Sequence, residues 1–156
     1  MKLVNKYILI IFSLFLSTLL SCTDGVNFDE YQHTSISGWE KNDTLTFMTS
    51  HFTETGIYAI NLGLRVNGTF PFTDLRLIVE QKLMKERKIS TDTIDCALTD
   101  KRGNFIGQGV SFYQYSFPIN KIDVKEGDSI RIRVRHDMKR EILPGISDIG
   151  IKITHE

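Results

Sequence analysis

Apolar residues at every second position are the feature that most limits how this chain can fold. One run places four aliphatic side chains at alternate positions: Ile60, Leu62, Leu64 and Val66. In residues 129–135 aliphatic residues alternate with arginines. A period of two puts successive side chains on opposite faces of a β-strand, whereas an amphipathic helix has a period of about 3.6. Because no helical stripe of useful length follows the N-terminal segment, the chain is predicted to be all-β.

Seven or eight strands fit this alternation, with turn signals between them. The clearest turns are Asn67-Gly68, residues 100–103 and residues 125–128. Several strands carry apolar residues on both faces, which favours two packed layers over one sheet with a wet face. The sequence therefore predicts a single β-sandwich of mostly antiparallel strands. A jelly roll and another Greek-key topology both stay open, because alternation does not set strand order.

The first 21 residues are organised like an export signal. Lys2 and Lys6 form a basic head, and residues 7–20 are uncharged and mostly apolar. This run of about 14 residues has the length of a secretory signal core and is shorter than the roughly 20 residues of a membrane-spanning helix. The segment is therefore predicted to direct export and to be removed.

A cysteine stands where the cleavage site of such a signal belongs. Leu19, Ser21 and Cys22 resemble the lipobox of bacterial lipoproteins, in which the thiol is diacylated, the chain is cut before the cysteine, and the new amine is acylated. Three acyl chains exceed the two signals that stable membrane anchoring requires. An ordinary signal peptide that happens to end near a cysteine is the alternative. The predicted division is a signal peptide (residues 1–21), a lipidated tether (residues 22–30) and a β-sandwich domain (residues 31–156).

Charge and cysteine content limit the partners and the covalent structure. The chain has 19 basic and 19 acidic side chains and no basic block, so nucleic acid is not an expected partner. Cys96 is the only cysteine besides Cys22, and an acylated Cys22 cannot pair with it. Cys96 shares a predicted strand face with Ile94 and Leu98, which predicts a buried, unreactive thiol.

No stretch carries a catalytic or metal-binding signature, so the chain is predicted to be non-enzymatic, without cofactor or metal. The four histidines are scattered, and no Gly-x-Ser-x-Gly occurs. Residues 103–109 are glycine-rich but lack the following helix of a phosphate loop. Asp123, Glu126 and Asp128 cluster at a turn, where solvation is the leading interpretation; calcium binding and paired-carboxylate catalysis are the alternatives.

Aromatic and loop residues give the candidate partner or ligand surface. Trp39, Tyr113 and Tyr115 can present flat rings of the kind that sugars and proteins bind. Core packing is the alternative for each ring. Pro144 and Gly145 are the predicted loop contact, since they fix a backbone shape with little side chain of their own.

Three short segments share an Asp-Ser/Thr-aliphatic form that resembles the O-glycosylation acceptor of exported Bacteroidetes proteins. The hydroxyl residues are Thr44, Thr93 and Ser129. Ordinary strand-entry chemistry is the alternative, because each segment opens a predicted strand.

Six segments, in order, resemble the gliding-motility-associated lipoprotein H family (GldH-like) of Bacteroidetes. They are residues 39–47, 61–67, 70–75, 92–98, 103–109 and 143–150. Phe105 stands where a tryptophan is expected in that family. The resemblance implies a small, non-enzymatic outer-membrane lipoprotein, a scaffold or accessory subunit beside other envelope proteins of the motility and secretion apparatus. A surface-tethered carbohydrate-binding β-sandwich module is the alternative function, and the membrane leaflet stays open.

Overall fold

The computed structural model describes residues 25–156, so the predicted signal peptide and Cys22 lie outside the described residues. Within this range no helix is long and apolar enough to cross a membrane. The strands are β1 (Val26–His33), β2 (Trp39–Glu40), β3 (Leu45–Met48), β4 (Gly56–Asn67), β5 (Asp74–Leu83), β6 (Ile89–Ala97), β7 (Phe112–Val124), β8 (Ile130–His136), β9 (Ile142–Leu143) and β10 (Ile146–His155).

Two four-stranded antiparallel sheets form the sandwich, in the orders β1-β10-β4-β7 and β3-β8-β5-β6. The two-residue strands β2 and β9 pair separately. Among the long strands only the β5–β6 hairpin stays within one sheet, and every other connection crosses to the opposite sheet. This is the double Greek key of a jelly roll. The predicted all-β sandwich is confirmed, and of the two topologies left open the jelly roll is the one observed.

The core lies between the two sheets and is built from alternate residues of the long strands. The four aliphatic residues of β4 that share a face are all buried, and so are Ile130, Ile132 and Val134 of β8. Arg133 and Arg135, at the alternate positions of β8, point to solvent. Each buried aliphatic side chain contributes about 1.5–3 kcal/mol, so this alternation is what selects the register of the central strands.

The sandwich begins earlier than the sequence indicated. Val26 pairs with Thr154 and Glu30 pairs with Ile151, so residues 26–30 belong to β1. The predicted tether of residues 22–30 is therefore too long, and only residues 23–25 separate Cys22 from the first strand. The reason is that β1 is an edge strand with one neighbour, and such strands keep polar residues that resemble a linker.

The two ends of the sandwich differ in what they carry. At the N-terminal end, Val26 of β1 lies beside Thr154, together with the loops of residues 49–55, 84–88 and 125–129. At the other end, here the distal end, Asn67 of β4 pairs with Phe112 of β7. The distal loops are residues 34–38, 68–73, 98–111 and 137–141. The 12 residues of β4 run between the ends, a length of about 40 Å at roughly 3.3 Å per residue.

Candidate interaction surface

One long distal loop, residues 98–113, connects β6 to β7 and includes the first two residues of β7. Its first half is a turn organised by Asp100. One carboxylate oxygen of Asp100 accepts hydrogen bonds from the backbone N–H groups of Arg102 (2.8 Å) and Asn104 (2.9 Å), and the other accepts from Asn104 Nδ2 (3.1 Å). These bonds, first of all that from the Asn104 backbone, lower the pKa of Asp100. The turn is thus fixed by its own side chains.

The second half of the 98–113 loop is closed by backbone pairing. Gln108 and Gln114 exchange two N–H to carbonyl hydrogen bonds of 2.9 and 2.8 Å. Between them Gly109 has φ +133°, and a Cβ there would overlap the carbonyl oxygen of Phe112. Only glycine fits such a position without strain. The loop is therefore held in one shape at both halves.

This rigid loop presents apolar side chains to solvent. Ile106, Val110 and Phe112 are 58%, 88% and 54% exposed. In the same loop the rings of Phe105 and Tyr113 stack with centroids 4.5 Å apart and an 18° interplanar angle. Exposed apolar clusters on loops that a scaffold holds rigid are typical of binding surfaces. We call Ile106, Val110, Phe112 and the Phe105–Tyr113 stack the candidate interaction surface.

Two of the three aromatic rings expected at a surface are part of the core. Trp39 is fully buried, donates from its indole N–H to the carbonyl oxygen of Asp43 (3.1 Å), and packs edge-on against His136. Burial lowers the pKa of that histidine. Tyr115 is also buried, and its hydroxyl donates to the carbonyl oxygen of Leu98 (2.7 Å). Trp39 and Tyr115 are therefore packing residues, which corrects their placement at a binding face.

The other three predicted surface residues lie at the distal end. Tyr113 is half-buried and belongs to the candidate interaction surface. Pro144 and Gly145 form the turn between β9 and β10. Gly145 has φ +84°, and its carbonyl oxygen accepts a hydrogen bond from the Asn67 backbone (2.8 Å). This turn is used to hold the distal loops together.

A polar groove of about 390 Å³ crosses the outer face of the β1-β10-β4-β7 sheet. Its centre is Tyr31, whose ring lies against Gly63 and Gly150, where a Cβ would come within 2.7 Å of the ring carbons. Arg65 lies over the ring, with Cζ 4.3 Å from the ring centroid. These contacts pack the Tyr31 ring against the sheet and hold the edge strand to it. Sequence reasoning missed this arrangement; the one signal was a glycine inside each of two strands.

Arg65 is itself oriented by a buried carboxylate. Asp148 is almost fully buried, accepts a hydrogen bond from Ser147 Oγ (2.5 Å), and lies 4.0 Å from Arg65 Nη1. The ring Nδ1 of His33, on β1, contacts the same carboxylate. These contacts join β1, β10 and β4 across the outer face.

A second cleft, of about 310 Å³, opens between β5 and β7 at the N-terminal end. Behind it the carboxylate of Asp92 accepts hydrogen bonds from Gln81 Nε2 (3.1 Å), Asn120 Nδ2 (3.1 Å) and Ser90 Oγ (3.3 Å). This network links the two sheets where their edges meet. Asp92 is thus engaged in holding the fold.

The predicted glycosylation residues differ in accessibility. Ser129 is buried where the turn enters β8, so it is not reachable by a modifying enzyme, which corrects that prediction. Thr44 is partly buried just before β3, and Thr93 is exposed on the edge strand β6. Modification of Thr44 and Thr93 stays a prediction.

The acidic turn at residues 123–128 is also explained by packing. Asp128 is buried, and its Oδ1 accepts hydrogen bonds from the backbone N–H groups of Ser129 (2.7 Å) and Lys85 (2.9 Å). Between residues 25 and 156 no three His, Cys, Asp or Glu side chains gather as a metal site. The carboxylate of Asp128 serves to tie two loops at the N-terminal end.

Cys96 is fully buried, as predicted, and burial raises the pKa of its thiol to about 12, with a smaller contribution from Asp95. A protonated, enclosed thiol is a poor nucleophile. In a Cys22→Ser variant, where Cys96 is the only thiol, we expect no maleimide labelling of the native protein and complete labelling in denaturant. Mass spectrometry of the two samples checks this. Rapid labelling under native conditions would contradict the burial.

The chain was compared with known proteins. The family model described as GldH lipoprotein matches residues 26–153. The "Gliding motility lipoprotein GldH" of Flavobacterium johnsoniae is 28% identical, with 98% of each chain covered. The "Gliding motility lipoprotein GldH homolog" of Christiangramia forsetii is 27% identical, over 85% of this chain and 86% of that one.

Solved structures resemble the chain more distantly. A carbohydrate-binding module of Cellvibrio mixtus lichenase 5A, in complex with cellotriose, has a TM-score of 0.39 at 10% identity, covering 84% of this chain and 89% of that one. A family 35 carbohydrate-binding module of Clostridium thermocellum has a TM-score of 0.38 at 12% identity, covering 83% and 92%. Similarities this low say nothing about a ligand. The family match, in contrast, spans the whole sandwich, and the chain belongs to the GldH lipoprotein family.

Proposed function

We propose that this chain is a non-enzymatic accessory subunit of the gliding-motility machinery, anchored in the outer membrane through Cys22 and docked to other envelope proteins. The observation that carries the proposal is the exposure of three apolar side chains, Ile106, Val110 and Phe112, on one loop that is held by its own hydrogen bonds. Apolar side chains exposed in this way fit a protein partner. The names of both relatives support a role in gliding.

The lipid anchor fits the geometry of the sandwich. Residues 23–25 span at most about 11 Å when fully extended. The N-terminal end of the sandwich would therefore stay close to the bilayer, and an upright domain would carry the distal end away from it. In that orientation the distal loops are open to partners.

Carboxylates that are already engaged within the fold favour a binding role over catalysis. Asp148 accepts from Ser147 Oγ, Asp128 accepts from two backbone N–H groups, and Asp92 accepts three side-chain hydrogen bonds. Each has a structural task, whereas a general acid or base needs a proton-transfer path to a substrate. Of the three rings on which the alternative of a carbohydrate module depended, Trp39 and Tyr115 are buried, and Tyr113 is half-buried and stacked on Phe105.

The anchor is tested by a Cys22→Ser variant expressed in a gliding relative of the host that lacks its own copy. We expect the wild type to incorporate labelled fatty acid, to sediment with the outer membrane and to restore gliding, and the variant to fail in all three. Cys96→Ala is the matched control, because Cys96 is buried and should leave labelling unchanged. Fatty acid on the Cys22→Ser protein, or its normal sedimentation with the membrane, would contradict the proposal.

A further inference from the structure

We infer that the 98–113 loop is the docking element of this chain and that it inserts into an apolar groove with an acidic rim on another envelope protein. The inference rests on the proposed function and names the surface and the partner chemistry that this function would use. It follows from the shape of the loop, its charges and its place relative to the N-terminus.

The loop is preorganised for binding. The Asp100 turn and the Gln108–Gln114 pair fix its two halves, and Ile106 donates from its backbone N–H to Leu98 (3.0 Å). An element that is already ordered loses little conformational entropy when it binds. Val110, the most exposed of its apolar side chains, stands close to the turn that Gly109 makes. This is the geometry of a projecting apolar contact that a groove can enclose.

The charged side chains of the loop indicate which charge the rim of the partner's groove must carry. Lys101 and Arg102 are exposed, and neither forms an ion pair with any residue in the described part of the chain. The carboxylate of Asp100 is occupied by its own turn. The same loop therefore carries two exposed cations without an ion-pair partner among the described residues and three exposed apolar side chains. Acidic residues flanking an apolar groove complement this pattern.

The position of the loop disfavours the anchoring bilayer as the occupant. The loop lies at the distal end, about 40 Å along the sheet from Val26, and residues 23–25 supply only about 11 Å of tether. Val110 would reach the membrane that holds Cys22 only if the domain lay with its long axis along the bilayer surface. A protein that approaches from the other side can reach the loop without such a reorientation.

The contact is tested by photo-crosslinking from the full-length lipoprotein in intact cells. Benzoylphenylalanine is placed at Val110, at Ile57 near the N-terminal end, and at Ile36 in another distal loop, all of which are exposed. We expect an adduct with one envelope protein from position 110, at least about tenfold above the other two positions. Mass spectrometry should map the adduct to an apolar segment of the partner flanked by Asp or Glu.

Charge and apolarity are tested separately by substitution. Val110→Asp, and the double variant Lys101→Glu/Arg102→Glu, should each lower recovery of the crosslinked partner from a Phe112-positioned probe at least about tenfold. Ile36→Asp changes a side chain that is 107% exposed and should leave the recovery of the crosslinked partner unchanged. Unaltered thermal unfolding and fatty-acid labelling of each variant show that fold and anchor are intact.

Several outcomes would overturn the inference. One is an equal crosslinking yield from positions 110, 36 and 57, and another is an adduct with lipid or with a second copy of this chain. A partner segment without acidic neighbours would also overturn it, and so would an equal loss of crosslinked partner in the Ile36→Asp protein. In each of these cases the anchor at Cys22 and a role in gliding are untouched, and what falls is the assignment of the docking loop and of its partner's chemistry. Loss of labelling at Cys22 with the adduct retained would instead remove the proposed anchor.

Discussion

Replacing Trp39 with alanine is expected to lower the free energy of unfolding by about 3–5 kcal/mol. The indole is fully buried, its N–H donates to the carbonyl oxygen of Asp43, and its ring packs edge-on against the His136 ring with the two centroids 5.3 Å apart. Alanine leaves a cavity in the core and an unpartnered carbonyl group. Since small domains are stable by about 5–15 kcal/mol, this one change removes a large share of the total.

Urea unfolding followed by circular dichroism measures the effect, because Trp39 is the only tryptophan and the variant has no indole fluorescence. Ile36→Ala is the matched control: it lies three residues earlier and its side chain is fully exposed. We expect the control to stay within about 0.5 kcal/mol of the wild type. Equal urea midpoints for the two variants would show that Trp39 is not in the core.

The burial of Trp39 illustrates what local sequence patterns cannot provide. Trp39 lies in a two-residue strand that pairs with β9, where Leu143 is its partner. A strand this short has no alternation to read, and its partner is about a hundred residues away. In contrast, the seven residues of β8 alternate through the whole strand, and their predicted faces are confirmed. Long alternating strands were predictable, whereas a short non-local pair was not.

The candidate interaction surface was partly predictable. The sequence shows that Tyr113 and Tyr115 share one face of a strand and that Phe112 has the opposite face, and that one of these faces must be core. The sequence does not show which of the two faces is the core face. The structure places Tyr115 inside, where its hydroxyl reaches Leu98, and this leaves Phe112 exposed. The decision depends on the approach of residues 98–107 to β7, a tertiary contact without a local signal.

Replacing Gly145 with alanine is expected to destabilise the domain by at least about 3 kcal/mol, with two causes. The backbone has φ +84°, where a residue with a Cβ is strained, and the new Cβ would lie only 2.7 Å from Cα of Phe70 and 2.8 Å from its Cβ. Phe70 is buried and cannot move away freely. The turn must therefore shift, and the hydrogen bond from Asn67 to the Gly145 carbonyl would weaken.

The same chain offers a matched control for Gly145 in Gly68, which lies at the same end, next to Asn67. Gly68 has no positive φ in this structure, and a Cβ there would meet nothing within 4 Å. Gly68→Ala should therefore be neutral or stabilising by up to about 1 kcal/mol, because it restricts the unfolded chain. Thermal unfolding should show Gly145→Ala lower by about 10 °C, with Gly68→Ala at or above the wild type. Two equal melting temperatures would mean that the turn of residues 144–145 does not hold Phe70 and the distal loops as described.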